Sequence, residues 1–421
     1  MLVFKFGGAS VRDAEAIQNV ASILSLYPGK KITVVVSAMG KSTNKLEEIV
    51  DALEEKNHKV FSGLVDELEA FHSDIMATLF PEKHFKIYQT IEDIFDSLRK
   101  RFEGVFSENK SFEYDQIVSL GELISSQIVS AYLVEQNFSV QWIDARKLIR
   151  TDHSYQEGKV DWKKTEQLVQ DRLLPAFNDA DILLSQGFIG HTTEGFTTTL
   201  GREGSDYTAG ILAYCGQAES VTIWKDVPGM LNADPKYFSN TKKLDSISFK
   251  EAIELSYYGA SVIHPKTIQP LQNRSIPLYV KSFLDPQSDG TIIQASSSKD
   301  HLIPSYIFKF DQALYSFTPK DFSFIVEENL SVIFGKISAL NIKINLMQNS
   351  ALSFSILVDQ KKMRKDDFLN LFQDEYEVKY NENLSLVTIR HYDDETIDQV
   401  TKGKEIILQQ RTRHTARFVL K

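Results

Sequence analysis

The sequence predicts an α/β fold: a mainly parallel sheet sandwiched by helices, followed by a smaller ferredoxin-like βαββαβ region. Three observations predict it. Four short runs, LVFKF (2–6), KITVVVSA (31–38), ADILLSQGF (180–188) and VTIWKDV (221–227), are apolar almost throughout rather than alternating, the pattern of strands buried on both faces of a parallel sheet. Helical patterns separate them, as crossover connections require. Near residues 285–305 the stretch DPQSDGTIIQASSSKDHLIP gathers Pro, Gly and three consecutive serines, residues of turns and linkers, and the pattern changes beyond it.

The first run leads into KFGGAS (5–10) and then the helical VRDAEAIQNVASIL. Glycines let a backbone approach an anion, and a helix N-terminus offers unpaired N–H groups. Lys5 stands in an otherwise apolar strand. Lysine is rarely buried unless paired, so Lys5 is either a point charge for a phosphate or a solvent-facing residue beside a tight turn. The second run ends in SAMGKSTNKL (37–46), where Thr43 can serve as a helix cap or face a ligand. From 45 to about 106 the chain is charged and helical, which predicts a helical subdomain. SLGELISSQIVSAYL (119–133) puts Glu122 in the first turn of an apolar helix, a placement that complements the helix dipole and can also take a ligand ammonium.

The stretch TTTLGREGSDYTAG (197–210) brackets Arg202 between two glycines and places Ser205 and Asp206 at the start of a helix. Arginine there offers a planar fork for a carboxylate or phosphate. IWKDVPGMLNADPK (223–236) carries Lys225 and Asp226 off the end of a strand, where ligands bind in open α/β sheets. In GASVIHPKTIQP (259–270), His264 precedes a proline and Pro270 is expected to end the short helix. Beyond 305, ALYSFTP, FIVEENLSVIFGKISALN, INLMQNSALSFSILVD, KKMRKDDFLNLFQDE and YEVKYNENLSLVTIRHY read in turn as strand, helix, two strands, helix and strand.

A length of 421 residues calls for two or three domains. The net charge of −10 argues against a nucleic-acid partner. Cys215, the one cysteine, sits in the apolar GILAYCG, so no intrachain disulfide forms. The start MLVFKFGG lacks the pattern of a secretory signal, and no apolar run is long enough to suggest a membrane span. The expectation is a cytoplasmic protein.

Taken in order, KFGGAS, SAMGKSTN, GEL, QGFIG, TTTLGREGSDYTA, WKDVPG, NADP and GASVIHP resemble the aspartokinases of the amino-acid kinase family, and the C-terminal region resembles that family's ACT regulatory region. The resemblance implies an amino-acid kinase catalytic domain over 1–295, an ACT-like domain over 300–380 and a second, shortened ACT-like unit over 381–421. It implies transfer of a phosphoryl group from ATP, with Mg²⁺, to the side-chain carboxylate of L-aspartate, the first step toward lysine, threonine, methionine and diaminopimelate.

By the same resemblance Lys5, Asp206 and Arg202 are the catalytic candidates, and Thr43, Glu122, Phe188, Arg202 and Ser205 would hold aspartate. Lys5, Gly7, Gly8, Ala9, Ser10, Lys225, Asp226, Leu231 and Lys236 would hold ATP. Asp206 would orient either the site or Mg²⁺, and no metal ligand is assigned. Homodimerisation through the ACT region and an amino-acid effector, lysine or threonine, are also implied, with an unregulated enzyme as the other option. The chain departs from the family where Ala9 replaces a usual threonine, Glu203 a usual glycine, Leu231 a frequent tyrosine, Lys236 a frequent arginine and Ser261 a frequent lysine. The effector loop, VEENLSV, lacks the glycine of feedback-sensitive relatives, while MQNSA (347–351) keeps the polar pair Gln348-Asn349. The competing readings are another carboxylate kinase of the same fold and an inactive amino-acid sensor.

Overall fold

The computed structural model describes residues 1–82, 86–104, 106–260, 263–362 and 364–421. The chain divides into two compact units, one of Met1–Met230, Lys243–Ile253 and Val262–Lys299, the other of Leu231–Lys242, Glu254–Ser261 and Asp300–Lys421.

The first unit is built on an eight-stranded sheet. Its strands are β1 (Leu2–Phe6), β2 (Ile32–Val36), β3 (Val140–Ile143), β4 (Ile182–Gln186), β7 (Ser220–Lys225), β8 (Ser246–Ser248), β9 (Leu278–Ser282) and β10 (Thr291–Gln294), while β5 (Ile189–His191) and β6 (Thr197–Thr199) form a separate hairpin. The spatial order is β3-β4-β2-β1-β7-β9-β10-β8, parallel except between β9 and β10. The four apolar runs of the sequence are therefore the adjacent central strands β4, β2, β1 and β7. The short outer strands carry no signal of their own in the sequence, because three to five residues give too little pattern.

Helices α1 (Ala14–Ser25), α2 (Ser42–Glu54), α3 (His58–Leu79), α4 (Lys86–Lys100), α5 (Lys110–Val118) and α6 (Leu120–Glu135) follow the first two strands. Asp13 caps α1 by accepting from the Ala16 amide at 2.8 Å. On α4, Ile87, Ile91, Phe95 and Leu98 line one buried face at helical spacing. They join a core with Phe4, Phe6, Val34 and Val36 of the sheet. Helices α5 and α6 run almost end to end, and Lys110–Glu135 is long and apolar enough to cross a bilayer. This corrects the expectation that no segment reaches that length. Its most apolar stretch is 78% buried inside the protein, so it reads as a core helix.

Helices α7 (Trp162–Leu168) and α8 (Leu174–Ala176) are joined by a π turn, and α9 (Gly204–Gly216) packs across β1. Two helices follow, α10 (Phe249–Tyr258) and α11 (Pro265–Asn273). Pro270 does not end α11 but lies within it. The helix is held from outside: Pro270 is buried, and Thr267 and Pro270 lie against the bare backbone of Gly210 on α9. That packing carries the helix through the residue that removes one of its hydrogen bonds.

The second unit is a six-stranded antiparallel sheet in the order β12-β13-β11-β14-β16-β15. Along the chain its elements are β11 (Ser305–Pro319), α12 (Glu327–Ala339), β12 (Ile344–Asn349), β13 (Phe354–Asp359), α13 (Lys365–Asn370), β14 (Tyr376–Arg390), α14 (Asp394–Thr401), β15 (Ile406–Arg411) and β16 (Thr415–Leu420). The run β11 to β14 is the expected βαββαβ order. β11 and β14 are each 15 residues long, and their pairing shifts register between Lys309 and Leu314. On one side of that shift Tyr315 and Phe317 pack with Phe368 and Phe372; on the other Tyr306 and Ile389 pack with Ile397 and Phe418. Two long strands thus serve two small cores, and position 380 lies inside β14.

One buried carboxylate ties the first unit's hairpin to its helices. Asp115 on α5 accepts from the Thr199 hydroxyl (2.6 Å), the Thr199 amide (2.8 Å) and the Gln156 amide (3.1 Å). Burial raises its pKa to about 6 even though those donors pull it down. Asp115→Ala is expected to lower stability by about 2–4 kcal/mol, read from the denaturant midpoint, because it strands three donors under cover. Thr199→Ser, which keeps the donors, is expected to cost much less.

Candidate active site

Alternation along β1 sets the site. Phe4 and Phe6 face the core shared with α1 and α6, so Lys5 faces the other side, which α9 covers. Lys5 is 8% exposed, and its Nζ lies 2.6 Å from Asp206 Oδ1. Lys225, the last residue of β7, puts its Nζ 3.6 Å from Asp206 Oδ2. Burial pushes the Asp206 carboxyl up, but Lys5 and then Lys225 push it down further, and it sits below its ordinary value.

Three segments at the carboxyl ends of β1, β2 and β4 close around this pair, with bare glycines at the contacts. A side chain on Gly7 would lie 3.3 Å from the Lys5 amine, and one on Gly8 2.9 Å from the Ala38 carbonyl. At Gly187 it would lie 2.5 Å from Ser205, and at Gly204 2.6 Å from the Phe188 ring. These approaches hold the N-terminus of α9 against the loop after β4, where the Phe188 amide donates to the Thr208 hydroxyl at 2.9 Å.

The result is a cleft of about 620 Å³. It brings together Lys5, Gly8, Thr43, Glu122, Phe188, Arg202, Ser205, Asp206 and Lys225 from distant parts of the sequence. Thr43 lies in the first turn of α2, one residue past its start. Gly7, Ala9, Ser10 and Asp226 neighbour the cleft in sequence but are not among its lining residues. Ser10 is buried, with its hydroxyl 3.3 Å from the Trp224 carbonyl. Leu231 and Lys236 belong to the second compact unit, where the Lys236 amide donates to Asp234. Ser261 lies outside the described residues.

The sequence reading missed Tyr114, Gln156 and Glu157, which also line the cleft. Tyr114 donates to Glu47 at 2.7 Å, and the Gln156 segment is held by Asp115. No short motif marks these residues, since long-range hydrogen bonds place them.

Three groups in the cleft are left wholly or partly without partners: Glu122, Arg202 and Glu203, whose Oε2 is buried and unpaired. Glu122 is 3% exposed; its Oε1 accepts from the Ala38 amide at 3.2 Å, while Oε2 has no hydrogen-bond partner. Burial raises its pKa to about 8, with the Ala38 amide and the Lys5 charge opposing. Arg202 is exposed and has no ion pair or hydrogen bond among the described residues. The cleft thus offers an orphan acid, a free guanidinium and two lysines sharing one aspartate, which suits a ligand bearing both an ammonium and anions. Glu203, where the resemblance implies glycine, has φ 55°, the left-handed conformation glycine adopts freely. Among the described residues no group of three or more His, Cys, Asp or Glu side chains could hold a metal by itself.

The Glu122 burial makes a stability prediction. Between its ordinary value near 4.5 and about 8 the folded state holds a proton that the unfolded chain has lost, so this group's contribution falls as pH rises through that window. Glu122→Gln keeps the Ala38 contact without the charge. Thermal melts of the ligand-free protein are expected to show the variant more stable by a few degrees at pH 8 and near wild type at pH 5.

A sequence profile of the amino acid kinase family matches residues 1–282. The chain is 32% identical over 361 residues to lysine-sensitive aspartokinase 3 of Escherichia coli K12, covering 85% of this chain and 78% of that protein. It is 31% identical over 317 residues to the aspartokinase of Chlamydia trachomatis, covering 75% and 70%. Its structure superposes on E. coli aspartokinase III in complex with aspartate and ADP with a TM-score of 0.78 at 28% identity, covering 100% of this chain and 96% of that one. The chain belongs to the aspartokinases of the amino acid kinase family.

Proposed function

We propose that this protein transfers the γ-phosphoryl group of ATP to the side-chain carboxylate of L-aspartate, giving 4-phospho-L-aspartate and ADP. The observation that carries this reading is the presence, in one cleft, of the buried Glu122 carboxylate with its Oε2 unpaired and of the unpaired Arg202 guanidinium, beside two lysines held by Asp206. The E. coli relative solved with aspartate and ADP supports the choice of ligands.

In this reading Glu122 takes the substrate ammonium and Arg202 a carboxylate, with Thr43, Phe188 and Ser205 lining the pocket. The reacting carboxylate is ionised near neutral pH, so no general base is required. Its oxygen attacks the γ-phosphorus as the bond to the bridging oxygen breaks, and ADP leaves with that electron pair. What the protein must supply is alignment of two anions and positive charge where the phosphoryl group moves.

Lys5 and Lys225 supply that charge, and Asp206 fixes their amines in place. Gly8 and the positive end of α9 also face the cleft, where backbone amides would meet phosphate oxygens. Mg²⁺ is commonly held by phosphates, waters and only one or two carboxylates, so the cleft fits an ion carried in by the nucleotide, with Asp206 among the cleft carboxylates that would hold it. When bound it would neutralise phosphate charge.

The test is hydroxamate trapping of the acyl phosphate with purified protein, ATP, Mg²⁺ and L-aspartate. Wild type is expected to form aspartyl hydroxamate, and Arg202→Ala to lose about 100-fold or more in kcat/KM. Absence of product from wild type that still binds aspartate would overturn the assignment in favour of a sensor.

We also propose that two copies pair through the C-terminal unit, with lysine or threonine as candidate effectors. Phe322 (76% exposed), Phe324 (67%) and Met347 (54%) present large apolar side chains to solvent, and β12 is an edge strand. Gln348 and Asn349 on that edge are exposed as well. The E. coli relative was also solved with lysine and aspartate. Sedimentation is expected to show a dimer for wild type and a monomer for Phe324→Asp combined with Met347→Asp.

A further inference from the structure

Glu203 is a charged residue of the cleft, with Glu157, that the proposed reaction leaves unused, and the one of the two with an unpaired buried oxygen. It follows Arg202 and immediately precedes α9. Its backbone is left-handed, φ 55° and ψ 28°, a conformation a glycine would take without strain. Its side chain makes no capping hydrogen bond to the helix. Its Oε2 is buried and has no hydrogen-bond partner. Among the described glutamates, only Glu122 and Glu203 have such an oxygen, and both line the same cleft.

A covered carboxylate without a partner raises the cost of bringing further negative charge nearby, and a cation offsets that cost. The cleft must admit an acceptor with two carboxylates as well as a nucleotide. Of its three basic groups, Lys5 and Lys225 already share Asp206, and only Arg202 is free. A fixed negative charge next to Arg202 therefore penalises a bare dicarboxylate more than one that brings its own ammonium.

We propose that Glu203 is a specificity-determining residue that makes the cleft select acceptors carrying an ammonium group over dicarboxylates of the same length that lack one. The inference rests on the reading of the cleft as an aspartate-phosphorylating site. Glu203 acts through the field it sets up beside Arg202, so it is not a catalytic residue.

The experiment compares wild type, Glu203→Gln and Glu203→Gly by hydroxamate trapping, with L-aspartate as substrate and succinate as competitor. Succinate has both carboxylates of aspartate at the same spacing and no ammonium. The ratio of the succinate inhibition constant to the aspartate KM is expected to fall about tenfold in both variants, a loss of roughly one order of magnitude in discrimination. The Gln variant keeps the size and the left-handed backbone, so its change reports charge. The Gly variant is also expected to melt higher than wild type, because the strained backbone is relieved. A ratio in Glu203→Gln that stays within about twofold of wild type overturns the inference, whether or not Glu203→Gly moves, because loop freedom would then explain the glycine result. If wild type forms no acyl phosphate from aspartate, the reading of the site itself has failed, an outcome distinct from an unchanged ratio in an active enzyme.

Discussion

The first unit is organised around a lysine in the middle of its sheet. Lys5 cannot be buried on β1 without a counter-charge. Asp206 supplies it from the first turn of α9, at 2.6 Å, and Lys225 joins from the neighbouring strand. This requires α9 to cross β1 close to the strand's carboxyl end, and that in turn requires bare backbone wherever the helix start meets the loop after β4. Gly187 against Ser205 and Gly204 against Phe188 meet this need. The ion triad therefore fixes a helix and two loops, leaving a net positive charge at the mouth of the parallel strands. Removing either partner would strand a buried charge, so the same residues serve folding and chemistry.

Against that rigid floor the cleft keeps groups that folding alone would not favour. The Glu122 carboxyl is buried with one oxygen unpaired, and its pKa rises to about 8 as a result. Arg202 is displayed on a glycine turn without a partner, and Glu203 holds a left-handed backbone. The buried Glu122 carboxyl and the left-handed Glu203 backbone are local costs to folding, and a ligand ammonium would offset the first. Structural acids of the same unit look different. Asp115 is equally covered, but its oxygens accept from two backbone amides and a hydroxyl, which is how a buried acid holds a fold together.

The C-terminal unit obeys a separate constraint. A βαββαβ unit needs its helices on one face of a sheet, and here two long strands, β11 and β14, carry two such arrangements in succession. β11 stays paired with β14 on both sides of the register shift near Lys309–Leu314, and beyond the shift it also pairs with β13. The second arrangement looks short in sequence because it uses the beginning of β11, far upstream, as one of its strands.

Much of this protein was determined by sequence at short range. The central strands, the glycine turns after them and the helix starts are local patterns, since a continuous apolar run or a Gly-Gly before a helix carries its meaning within ten residues. That is why Lys5, Glu122, Arg202 and Asp206 could be singled out, and why their order resembles one family. What tertiary structure alone decided is who meets whom. Lys5 could have faced solvent by its sequence; alternation on β1 and the position of α9 turn it onto Asp206. Glu122 could have been an ordinary first-turn acid; the close approach of Ala38 buries it with one oxygen unpaired. Tyr114 and Gln156 carried no motif and are held at the cleft by hydrogen bonds to Glu47 and Asp115, with Glu157 next to Gln156 in the chain. Pro270 carried a stop signal that packing against α9 overrode. Periodicity and turn chemistry are properties of neighbours along the chain, whereas burial, charge pairing and an unpaired carboxylate belong to residues that become neighbours only on folding.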